Sequence, residues 1–157
     1  MAKGMLAVIL PLAIVALSGS EPSKSDAEAI KQTALDYGEG WYEGSAERME
    51  RAVHPDLAKR ALMPDPRSGK GRIDHMSAMS LVQATRDGHG VKTPTDQRRT
   101  KVTILEVFGN AACVKLEMHD WVDFMHMTKI GGRWVIVNVL WELTPEAKKR
   151  YGIPEEL

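Results

Sequence analysis

Asp123 is the residue whose surroundings point most directly to chemistry. If 121–130 is a strand, Asp123 shares a face with Trp121 and Met125, and counting through the hairpins adds Trp134, Asn138 and Leu140. A carboxyl group among such neighbours is desolvated, which raises its pKa and suits it to be a general base or a protonated hydrogen-bond donor. The alternative is an anchoring carboxylate at a strand end, paired with Lys129, Arg133 or a backbone amide. His54, just before Pro55, is either a ligand contact that can relay protons or a cap on the last carbonyls of a helix. Trp41 and Tyr42 offer flat rings to a planar ligand. The predicted ligand contacts are therefore Trp41, Tyr42, His54, Trp121, Asp123, Met125 and Asn138.

Other chemistries find less support. His119, Asp120, Asp123 and His126 bring four metal-ligand side chains close together, but Asp123 and His126 differ by three and point to opposite faces of a strand. No metal site is expected. Cys113 is the single cysteine, so it forms neither an internal disulfide nor a thiolate cluster, and it reads as a small buried hydrophobe. The chain has no glycine-rich phosphate loop, serine-nucleophile elbow or zinc motif, and no cofactor is expected. With 21 basic and 21 acidic residues, it lacks the positive field that dominates generic nucleic-acid binding.

The elements that must position these residues are legible from pattern. The 157 residues, 43% hydrophobic and 27% charged, suit one globular domain. Ser25-Asp26-Ala27-Glu28 has the capping-box form, and Ala27, Ile30, Ala34, Tyr37 and Trp41 recur at helical spacing, predicting a helix that Gly44 stops. Ser45 caps a second helix that carries Met49 and Val53 inward and ends at His54-Pro55. Residues 56–62 read as one or two further helical turns, 63–71 as a loop, and 77–86 as a short helix. From Thr100 the pattern alternates, predicting strands at 100–108, 111–118, 121–130 and 133–142, with turns at Gly109-Asn110 and Gly131-Gly132 and a third at His119-Asp120. Thr144-Pro145 starts a last helix. The counted register places Met125 opposite Asn138 and Asp123 opposite Leu140, and leaves Val135, Val137 and Val139 on a second apolar face expected to meet another copy of the chain.

Ahead of all this, Lys3 precedes an apolar run from Met5 to Leu17 that ends in Ser18, Gly19 and Ser20. A positive start, an apolar core of this length and small residues at its exit describe a secretory signal peptide, and the run falls short of the roughly 20 residues a membrane span needs. Residues 1–20 are expected to be an export signal, and 21–157 the folded domain, in a periplasmic or secreted protein that meets a membrane only during export.

Two segments carry a family resemblance: Tyr37-Gly38-Glu39-Gly40-Trp41-Tyr42-Glu43-Gly44 running on to Met49 and His54-Pro55, and the stretch from Trp121 to Trp141. With the order of helices and then strands, they resemble the nuclear transport factor 2-like superfamily, and within it the bacterial branch called putative lumazine-binding. The resemblance implies an α+β fold in which N-terminal helices pack on a curved, mainly antiparallel sheet of four or more strands around a cone-shaped cavity. Steroid-isomerase-like relatives set an aspartate and a tyrosine in such a cavity, which implies Asp123 as base with Tyr37 or Tyr42, or else His54, as the candidate acid. The leading expectation is an exported domain that binds a small apolar or planar ligand and forms a homodimer. An isomerase or dehydratase with Asp123 as base is the second, and a dimeric interaction module the third.

Overall fold

The structure is a computed structural model and describes residues 23–157. The expected export signal at 1–20 lies outside the described residues. Helix α1 (Lys24–Glu43) is followed by α2 (Ala46–Ala52), strands β1 (Val53–Pro64) and β2 (Gly71–Ser77), and helix α3 (Ala78–Arg86). After two short 3-10 segments come β3 (Lys101–Phe108), β4 (Ala111–Glu117), β5 (Trp121–Ile130), β6 (Arg133–Leu143) and α4 (Pro145–Tyr151). The α+β expectation holds: one six-stranded sheet, in the order β2-β1-β6-β5-β4-β3, carries the helices on one face. All its pairings are antiparallel except β1 with β6.

The local signals act close to where they were read. Ser45, Ser77 and Thr144 cap their helices through their hydroxyls, and Gly44 ends α1 with a φ of 69°, a conformation glycine adopts without strain. The cap of α1 is a correction: Ser23, not Ser25, accepts the Asp26 N–H, so the helix starts earlier than the capping box suggested.

A second correction has larger consequences. Residues 56–62 are not helical turns but the middle of β1. Ala, Lys, Arg and Leu favour a helix, yet pairing with both β2 and β6 outweighs that preference. Leu57, Lys59 and Ala61 alternate into the interior, the period-2 signature of a strand.

Register supplies the third correction. The turn at His119-Asp120 is counted correctly, since Leu116 pairs with Asp123 and Val114 with Met125. The slip comes later, where Met127 pairs with Ile136 but His126 with Asn138, leaving Val137 as an extra residue in β6. Beyond this bulge, Met125 faces Val139 and Asp123 faces Trp141. Asn138 and Leu140 therefore leave the inner face, and Val139 and Trp141 enter it. A similar irregularity at Leu105 turns Val102 and Ile104 toward the helices and leaves Leu105 exposed. The predicted outer face of valines is accordingly broken up: Val135 and Val139 are buried, while Phe124 and Leu140 are exposed.

Candidate functional site

Residues 37 and 41 stand one helical turn apart on α1 and so project side by side over the sheet. Their rings, with Lys59 of β1, Met76 of β2, Leu81 of α3, Met118, Trp121 of β5 and Trp141 of β6, line a cavity of about 150 Å³. The three tryptophans meet edge to face, with ring centroids 6.0 Å apart for Trp41 and Trp121 and 6.1 Å for Trp121 and Trp141. Close packing holds this wall in place. A Cβ on Gly90 would fall 2.6 Å from the Trp41 indole nitrogen, so the loop can press against that ring only because residue 90 has no side chain.

The wall is apolar except at one point. Lys59 Nζ donates to Asp123 Oδ1 at 2.7 Å and to the Tyr37 hydroxyl at 2.6 Å. The Tyr37 hydroxyl in turn donates to the same Oδ1 at 3.3 Å. Lys59 and Tyr37 form cavity wall, and Asp123, fully buried, stands behind them. The ammonium also lies 5.1 Å from the centre of the Trp141 ring and 5.4 Å from that of Tyr37, within reach of their electron-rich faces.

The electrostatics of this triad are lopsided. Burial lowers the Lys59 pKa below the usual 10.5, and the Asp123 charge offsets only part of that effect. Burial pushes the Tyr37 hydroxyl well above 10, with the neighbouring carboxylate adding to the rise, so Tyr37 stays a proton donor. Oδ1 of Asp123 serves both donors, whereas Oδ2 is buried with no hydrogen-bond partner among the described residues. A buried carboxylate oxygen without a donor is costly.

Of the residues expected from sequence, the structure brings Tyr37, Trp41, Trp121 and Asp123 together. Met125 is buried in the core and does not line the cavity. Tyr42 points elsewhere: its hydroxyl accepts the His119 N–H at 2.9 Å and donates to the Arg99 carbonyl at 3.2 Å, bracing the turn between β4 and β5. His54 is also away from the cavity, and its Nδ1 accepts the Asp56 N–H at the start of β1. Asn138 lies on the outer face because of the β6 bulge, in contact with Arg60 and His126. The grouping of His119, Asp120, Asp123 and His126 disperses: Asp120 is held by Arg150 and Tyr151, Asp123 faces inward and His126 outward.

Lys59 is the residue of the candidate site that sequence reasoning missed. Its signal was the Leu57/Lys59/Ala61 alternation, hidden by helix-favouring residue types. Trp141 was missed with it, by the one-residue slip in β6.

A family model described as putative lumazine-binding matches residues 25–142. Among curated proteins, the chain is 26% identical over 129 residues to a protein named aldolase FrzH from Cladobotryum sp, covering 78% of this chain and 95% of that one. Among solved structures, a nuclear transport factor 2-like protein of unknown function from Shewanella baltica superposes with a TM-score of 0.61 at 17% identity, covering 80% of this chain and 99% of that one. A protein described as a putative scytalone dehydratase, from Novosphingobium aromaticivorans, gives a TM-score of 0.51 at 15% identity, covering 76% and 85% of the two chains. These likenesses establish the nuclear transport factor 2-like fold.

Proposed function

Since the chain belongs to the putative lumazine-binding family, we propose that it binds one small, flat, largely apolar molecule in the cavity between α1, α3 and the inner sheet face. The cavity itself carries the reading: three tryptophans, two methionines and Leu81 surround a single polar corner made by Lys59 and Tyr37. An apolar cavity of about 150 Å³ accepts a benzene-sized ring without rearrangement. The polar corner selects for an oxygen acceptor on that ring, because the Lys59 ammonium gives two protons to Tyr37 and Asp123 and has a third to donate. The preferred ligand is a ring of this size bearing a carbonyl oxygen.

Titrating the full chain with acetophenone, followed by tryptophan fluorescence, tests this. Saturable quenching is expected, and Leu81→Trp, which fills the cavity, is expected to weaken it about tenfold or more. No saturable quenching, or quenching indifferent to Leu81→Trp, overturns the reading.

A second reading is proton-transfer catalysis, favoured by the 3.3 Å contact between Tyr37 and Asp123 beside the cavity. The relatives named as an aldolase and a dehydratase support it, since both names imply chemistry beside an oxygen-bearing carbon. In this arrangement Asp123 reaches a ligand only through Lys59 and Tyr37, so it acts as a proton store and not as the base that touches substrate.

Two further proposals concern where and in what form the domain works. The Lys3 to Ser20 pattern supports export to the periplasm or medium, and an N-terminus beginning near residue 19 or 21 in material recovered outside the cytoplasm tests it. Exposed Phe124 and Leu140 on the outer sheet face support a homodimer through that face. Phe124→Lys is expected to shift a sedimenting dimer to monomer, and a wild-type monomer at all concentrations would end the proposal.

A further inference from the structure

We propose that Lys59 forms a covalent imine with the carbonyl carbon of the bound ligand, using Asp123 and Tyr37 to move the protons that this requires. This rests on the ligand reading above and deepens it, from a carbonyl group held by hydrogen bonds to one attacked by the amine.

Three features of the corner converge on this chemistry. An imine-forming lysine must lose its ammonium proton, and Lys59 has an acceptor 2.7 Å away in Asp123 Oδ1. Its burial in an apolar wall favours the neutral amine, the direction in which its pKa is displaced. The departing carbonyl oxygen needs a proton donor close to the nitrogen, and the Tyr37 hydroxyl sits 2.6 Å from Nζ. Asp123 Oδ1, 3.3 Å from that hydroxyl, can return each proton that Tyr37 gives away. A structural ion pair needs only the first of these contacts. Neither the cavity beside the amine nor the unpartnered Oδ2 serves such a pair.

The steps balance without an oxidant, reductant or co-reactant. Lys59 passes one proton to Asp123, and its lone pair forms the C–N bond while the carbonyl π electrons move to oxygen. Tyr37 protonates that oxygen and is reprotonated by Asp123. A second nitrogen proton then goes to Asp123 and on through Tyr37 to the hydroxyl, which leaves as water as the C=N bond forms. Of the three ammonium protons, two depart with the oxygen and the third remains on the iminium nitrogen. The iminium acidifies the carbon next to it, and Asp123, again an unprotonated carboxylate, stands ready behind Tyr37.

Borohydride reduction tests the proposal, because it fixes an imine as a stable secondary amine. The full chain is incubated at neutral pH with benzaldehyde or acetophenone, reduced, and mapped by peptide mass. The expected result is one adduct per chain, located on Lys59 and suppressed at least tenfold in Tyr37→Phe, with Lys59→Arg leaving no adduct at that position. Adducts spread over exposed lysines such as Lys101 with Lys59 unmodified overturn the proposal. If acetophenone quenches the tryptophans saturably but no adduct forms on Lys59, the binding reading stands and the covalent step is wrong. If neither occurs, both are wrong. Mapping the wild-type chain decides the matter even if a variant fails to fold.

Discussion

Two buried carboxylates, Asp36 on α1 and Asp123 on β5, differ in how completely they are satisfied. Asp36 lies where α1 meets α2. Its Oδ1 accepts from Arg48 at 3.1 Å and Gln32 at 3.3 Å, and its Oδ2 from Arg51 at 2.8 Å. Arg48 also reaches Glu39 and Glu43, so one guanidinium pins three acidic side chains. Burial on its own would raise the Asp36 pKa, but the hydrogen bonds from Arg51 and Arg48 outweigh it and hold the carboxyl below its usual value. Asp123, by contrast, loads both its donors onto one oxygen and leaves the other without a donor among the described residues. Its cation is a lysine, which can give up its proton, where Asp36 has arginines, which do not. The fully satisfied network locks two helices together. The unsatisfied one stands behind the Lys59 and Tyr37 side chains that line the cavity, and it touches the cavity only through them.

The sharpest way to break this contrast is to remove each carboxylate in turn. Asp123→Ala leaves the Lys59 charge buried and unpaired, and is expected to cost about 3–5 kcal/mol in urea unfolding. Replacing the whole pair, as Lys59→Met with Asp123→Leu, is expected to restore most of that stability while abolishing acetophenone quenching or shifting it by tenfold or more. If the double variant stays as unstable as the single one, the pair is architecture like Asp36 and the contrast fails. Asp36→Ala is expected to cost less, about 1–3 kcal/mol, since Arg48 and Arg51 keep access to water, and to leave quenching unchanged.

A smaller effect, near 1 kcal/mol, is expected for Tyr37→Phe, which removes one hydroxyl from the triad and keeps its ring in the wall. Ligand affinity should fall more than stability does, and the reverse would make Tyr37 a core residue only.

The smallest effect concerns Asp26, a partnered carboxylate of the Asp36 kind at the start of α1. Hydrogen bonds from Lys129 first, then Trp134 and Ser23, hold its pKa at about 2 instead of 3.8. The folded form therefore binds this proton less readily than the unfolded chain does. Its stabilising contribution is complete above pH 3.8 and is lost as the pH falls through about 2. Thermal melts between pH 5 and pH 2 are expected to show a shallower acid decline in Asp26→Asn than in the wild type.

Much of the fold was legible because the forces that make it are local. Ser45 and Thr144 act on N–H groups three residues away, Gly44 on its own φ, and the alternation of β3 to β6 on immediate neighbours. Half the candidate site followed, because Tyr37 and Trp41 share a helical face and Trp121 and Asp123 a strand face. Asn138 and Leu140 were misplaced because the extra residue at Val137 is absorbed by pairing with β5, and no local pattern marks it.

The sequence by itself determined which segments cap, turn and alternate, the neutral charge, and an aspartate on the inward face of β5. Only the tertiary structure decided what that aspartate meets. Lys59 is 64 residues away from it in the chain, and it arrives there because β1 lies parallel to β6, with Lys59 opposite Val139. Helix propensity within 56–62 argues for the wrong element, and pairing on both edges overrules it, since each backbone N–H and C=O buried in the sheet must find a partner. Local preference is written in neighbouring residues. The meeting of Lys59, Asp123 and Tyr37 belongs to the packing of three elements far apart in the chain.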